Sequence, residues 1–214
     1  MDHDVTENPA IQIRRLKRSL QAWLGRAANE RNLASNLVLL PDGGSGGIPR
    51  YAQCLAEVLA QQSSYKGDSA DRPTSFAFLD AMEAIRRTRN TRDLYDLMRD
   101  RLQESPETDV LVVTGLEKTF DRSMWDGREN SQDRDCAYRA DTLKTFAGLQ
   151  YGRDEGNFKI PVFSVLCLPE WLYVPVRVGF ADFVSWSLAY DLSRWEPPTP
   201  GGRPTPAVPL SPTP

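Results

Sequence analysis

Three short apolar runs constrain this chain more than any other feature. Leu37–Leu40, Val110–Val113 and Val162–Leu166 carry no interior charge and are too short for core helices. Apolar character over four or five residues, interrupted only by Ser164, means burial on both faces, which places such strands in a parallel sheet covered by helices. The segments between them fit that reading. Ile13, Leu16, Leu20, Trp23 and Leu24 recur at helical spacing beside Arg14, Arg15, Lys17 and Arg18, which predicts an amphipathic N-terminal helix. Pro49 suits the first turn of a second helix whose apolar face is Tyr51, Leu55, Val58 and Leu59. Thr74–Leu79 reads as another strand. Helices are predicted over Ala81–Arg87 and, behind a cap at Asn90 or Thr91, over Leu94–Leu102. Asp121–Arg139 reads as a charged loop, and Leu143, Phe146 and Leu149 mark a helix before the strand Ile160–Leu168. Phe183–Tyr190 alternates, which predicts a fifth strand at the sheet edge.

Composition removes several function classes. The chain of 214 residues has one histidine, His3, and three cysteines, Cys54, Cys136 and Cys167, with no close pair. A disulfide framework, a CxxC zinc site and most histidine-dependent zinc or hydrolytic sites are thereby excluded. Lysine plus arginine is 26 against 29 acidic residues, a net charge of −3 that gives no general argument for nucleic-acid binding. The acidic start, Met1 to Glu7, lacks the features of a signal peptide. No run reaches the roughly 18 apolar residues of a membrane span. The expectation is a cytoplasmic protein without membrane contact.

The domain reading has three parts: an N-terminal helix over 1–35, an α/β domain over 36–195, and a disordered appendage over 196–214. The last holds eight of the sixteen prolines, and proline fixes φ and removes a backbone donor.

The most informative segment is Gly43-Gly44-Ser45-Gly46-Gly47, between a predicted strand and a predicted helix. Such a turn aims backbone N–H groups and a helix N-terminus at an anion. It also fits G-x-S-x-G with Ser45 as nucleophile, but the one histidine, His3, lies far upstream and a serine nucleophile needs a base within reach. In order and spacing, Asn36 to Asp191 resembles the P-loop NTPases, and among them the AAA+ ATPases of the initiator and transposition-helper kind. The resemblance implies a three-layer α/β domain around a mostly parallel five-stranded sheet. It also implies nucleotide contact by Gly43, Gly44, Ser45, Gly46 and Gly47.

The resemblance further locates what is missing. Gly47 and Ile48 stand where a lysine for the phosphates and a hydroxyl for magnesium are needed. Thr114 and Gly115 stand in place of an acidic pair, with Glu117 the nearest carboxylate. Lys118 is a replacement cation if its strand adjoins the glycine loop. Ser164 or Cys167 is the available polar sensor on the fourth strand. The run from Pro169 to Phe180 matches a passage into an arginine-bearing turn, with Arg177 as that arginine.

Together these losses predict a pseudo-ATPase with no catalytic residue, metal or cofactor. It would serve as a scaffold or regulatory subunit for protein partners, with an accessory role in a mobile-element or anti-phage system as one setting. Two alternatives stand beside it. One is a P-loop NTPase that binds or hydrolyses ATP, without tight magnesium, through an unconventional glycine loop. The other is a nucleic-acid-binding accessory protein using Arg86, Arg87, Arg89 and Arg92. Trp171, Tyr173, Trp186 and Trp195 are read as core or partner-facing aromatics.

Overall fold

The computed structural model describes residues 8–42, 47–61, 73–88, 93–119 and 160–197. The predicted charged loop, the helix around Leu143–Leu149 and the proline-rich tail after 197 lie outside them. So do His3, Cys136, Arg89 and Arg92.

In chain order the elements are α1 (Pro9–Leu24), β1 (Ala34–Leu40), α2 (Gly47–Ala60), β2 (Phe76–Asp80), α3 (Ala81–Thr88), α4 (Leu94–Glu104), β3 (Val110–Thr114), β4 (Phe163–Pro169), α5 (Glu170–Gly179), α6 (Ala181–Trp186) and β5 (Leu188–Asp191). Short 3-10 turns occupy Ala28–Glu30 and Leu116–Thr119. Pro9 opens α1, where its missing N–H costs nothing, and the Asn8 side chain accepts from the Ala10 N–H at 2.9 Å.

Among the described residues the strands form one sheet, ordered β2-β3-β4-β1-β5, with every pairing parallel. The apolar runs occupy its centre, and alternate residues go to opposite faces. Leu37, Leu39, Leu111, Val113, Leu166 and Leu168 join one core with side chains of α3, α4, α5 and α6. Val38, Leu40, Val110, Val112, Val165 and Cys167 join the other with α1 and α2. Helices cover both faces of β1, β3 and β4, which explains why these strands need no polar face.

The three crossovers whose helices are described share one hand. β1 to β2 moves toward the β2 edge over the α1–α2 face. β2 to β3 and β4 to β5 move the other way over the opposite face. The end of the sheet where strands begin is stapled by polar groups. The Ser75 N–H donates to Asp109 Oδ2 (2.9 Å) and the Asp109 N–H to Ser75 Oγ (3.0 Å). Arg31 lies over the Trp23 ring at 5.2 Å, and its Nη1 is 3.9 Å from Asp109 Oδ1.

Three local expectations are corrected. The cap of α4 is Asp93, whose Oδ1 accepts from the Asp96 N–H at 2.9 Å, not Asn90 or Thr91. The segment Phe183–Tyr190 is not one strand: its first residues belong to α6, and β5 begins at Leu188. Phe180, Phe183 and Val184 recur at helical spacing, Phe183 is fully buried, and Trp186 meets its ring edge-on at 5.0 Å. That packing prevails over the alternation further along, although β5 does lie at the sheet edge. Finally, the run after β4 is a helix. The expected passage into an arginine-bearing turn is instead α5, with Pro175 buried inside it beside Leu172 and Val176.

Candidate functional site

In an open parallel sheet, ligands gather beyond the strand C-termini where neighbouring strands send their connections to opposite faces. Here that point lies between β1 and β4, because β1 continues to α2 on one face and β4 to α5 on the other. The residues around it are Asp42 after β1, Asp80 ending β2, Gly115 to Lys118 after β3, and Trp171 after β4.

Side-chain contacts join these ends. Trp171 Nε1–H donates to Asp42 Oδ2 at 3.0 Å, tying α5 to the exit of β1. Asp80 caps α3, with Oδ1 accepting from the Glu83 N–H at 3.0 Å, while its Oδ2 lies 3.5 Å from Lys118 Nζ. Gly115 has φ of 76°, and a Cβ there would fall 2.4 Å from Asp80 Oδ1. Only glycine allows both that backbone and that approach. Between these groups lies Glu117. Its Oε2 is buried and finds no hydrogen-bond partner among the described residues. Burial pushes its carboxyl above the usual carboxylate range. Its own backbone N–H and Lys118 oppose the shift, and the negative charges of Asp80 and Asp42 add to it.

Not all predicted site residues gather at this edge. Gly43, Gly44, Ser45 and Gly46 lie outside the described residues. Gly47 starts α2 at φ of 53°. Ile48 is 3% exposed and packs in the α1–α2 core. Lys118 does not follow a strand adjacent to β1, because β4 stands between β3 and β1. Its partner is Asp80. Ser164 sits near the start of β4, paired with Ser35, and its hydroxyl donates to the Ala34 carbonyl at 3.1 Å. It is therefore at the wrong end of the strand for a sensor. Cys167 is wholly buried on the α1–α2 face, and burial, with Glu117 adding, holds its thiol far above the ordinary range. Such a thiol is inert. Arg177 is exposed in the last turn of α5, within a helix rather than a turn. Arg86 and Arg87 are exposed on α3, where Arg87 pairs with Glu83 at 3.0 Å. No group of three His, Cys, Asp or Glu among the described residues could hold a metal ion. No described helix is long and apolar enough to cross a membrane.

Sequence reasoning missed Asp80, Asp42 and Trp171. Asp80 carried a signal, since Asp80-Ala-Met-Glu83 is a capping-box pattern directly after an apolar run. Asp42 and Trp171 meet across 129 positions, and no local pattern announces that bond.

Comparison of the chain with family models, curated proteins and solved structures returns no match.

Proposed function

We propose that this chain is a degenerate P-loop-type domain of the three-layer, AAA+-like kind. In this reading it does not hydrolyse ATP and serves as a scaffold or regulatory subunit of a larger assembly. The observation that carries the reading is Ile48. In a working loop of this kind, the residue after the lysine presents a hydroxyl to magnesium. Here that position is a core side chain, 3% exposed, preceded by Gly47 with a positive φ and no side chain. The parallel order β2-β3-β4-β1-β5, with β1 ending beside the switch point, supports the descent of the fold.

The described residues do not fit a magnesium nucleotide. Thr114 is buried and Gly115 is pressed against Asp80, so the end of β3 offers no carboxylate at the first two positions. Lys118 is held by Asp80. Phosphoryl transfer depends on charge neutralisation and positioning by such groups. Their joint loss leaves an architecture suited to holding partners.

The test is steady-state turnover with ATP and magnesium on the full chain, alongside equilibrium titration with ATP. The expected result is no turnover above background. Turnover near about 1 s⁻¹, abolished by changing Gly46 and Gly47, would overturn the reading. Binding without turnover would retain the scaffold and make ATP a structural ligand.

A further inference from the structure

We propose that the outward face of α1 binds the phosphate backbone of nucleic acid, without reading sequence. This surface is separate from the sheet's C-terminal edge and does not depend on the function proposed for it.

The inference begins with a segregation of charge that the net value of −3 hides. The helices of one face, α1 and α2, carry Arg14, Arg15, Lys17, Arg18 and Arg50 against a single acid, Glu57. The helices of the other face, α3 to α6, carry five basic and six acidic side chains. Within α1 itself there is no acidic residue. Arg14, Arg15 and Arg18 are exposed, and helical spacing puts all three within one outward arc of about 100°. Arg14 Nε–H donates to the Ala10 carbonyl, and no described acid pairs with Arg14 or Arg18.

The same helix says what kind of polyanion fits. Its apolar stripe, Leu16, Leu20, Trp23 and Leu24, is already buried in the core. A helix that lies on a membrane must keep such a stripe free for lipid. Only Ile11 is left exposed among its large apolar residues, at 37%. Trp23, the one aromatic of α1, is 3% exposed and cannot stack on a base. What remains is a row of guanidinium groups with no exposed aromatic in α1 and one exposed apolar neighbour, Ile11. That row matches the regular negative charge of a duplex backbone, about one per 1.7 Å of axis, rather than base edges.

The experiment is fluorescence anisotropy of a labelled DNA duplex with the full chain, between about 50 and 200 mM salt. Binding is expected with a slope of log K on log salt of about −2 to −3, from up to three neutralised phosphates at roughly 0.9 each. The double variant Arg14→Ala/Arg18→Ala should flatten the slope by about 2 and weaken binding at least about tenfold at the lowest salt. Arg86→Ala/Arg87→Ala, on the opposite face, should change neither. All four sites are exposed, and circular dichroism verifies folding. Vesicles of phosphatidylserine and phosphatidylcholine should not bind. The proposal is overturned by absence of duplex binding at low salt, by a wild-type slope shallower than about −1, by equal loss in the two variants, or by vesicle binding as tight as duplex binding.

Discussion

At the scale of single residues, the C-terminal edge of the sheet holds an electrostatic conflict centred on Glu117. Its pKa is raised in the folded chain, so the native state binds the proton more tightly than the unfolded state does. Stability from this group is therefore fully present below the ordinary carboxylate pKa and is lost as pH rises through the raised folded value. Urea midpoints across that window should fall with rising pH in the wild type. Glu117→Gln has no proton to lose and should remove that part of the slope. Equal slopes in the two proteins would show that Glu117 is solvated. Gly115 is the second lever. Gly115→Ala imposes a left-handed backbone on a Cβ and drives that atom into Asp80, so it should cost at least about 2 kcal/mol in urea unfolding. A loss under about 0.5 kcal/mol would show that Asp80 can swing away freely.

At the scale of elements, legibility followed burial. β1, β3 and β4 were readable because strands covered on both faces are mostly apolar, as in Leu37–Leu40 and Val110–Val113. The N-terminal helix was readable because Leu16, Leu20 and Trp23 all point one way. The errors fell where two signals overlapped or where contact decided. Phe183 and Val184 belong to a helical spacing and to an alternating run at once, and packing against the α3–α6 core selects the helix. The run from Pro169 to Phe180 was read as leading into a turn, and it is the helix α5 with Pro175 inside it. Ser164 and Cys167 were candidates because of their chemistry, but strand register sends one to the wrong end and the other into the core. The cap of α4 was missed for a simpler reason, since Asp93 stands directly before Leu94 and three residues from Asp96. Asp93→Ala should remove the bond to the Asp96 N–H and cost about 1 kcal/mol. The carboxyl of Asp93 is raised by burial, the largest influence on it, despite that bond. Asp93→Asn, which keeps an acceptor, should retain most of the stability. Equal losses for the two variants would remove the capping role.

At the scale of the whole molecule, one sheet separates two cores, and that arrangement makes a quantitative statement. Ile48 packs on the α1–α2 side near the C-terminal edge. Ile160 packs on the α3–α6 side just before β4. The two share no core, and the full thickness of the sheet and the length of β4 lie between them. Each is nearly buried, at 3% and 7% exposure, so removing one methyl group from either should cost about 0.5–1.5 kcal/mol. Because distant sites without shared partners add, the double variant Ile48→Val/Ile160→Val should lose the sum of the two within about 0.5 kcal/mol. Both single variants should shift one unfolding transition, the same by circular dichroism and by tryptophan fluorescence, because β1, β3 and β4 contribute alternate side chains to both cores. Neither face can come apart while the other keeps those strands in place. Separate transitions would show that the faces unfold independently. A double-variant loss differing from the sum by more than about 1 kcal/mol would show that the sheet transmits strain from one core to the other. In that case the buried Ile48, in the first turn of the helix after the glycine segment, would be coupled to packing at the far end of the fold.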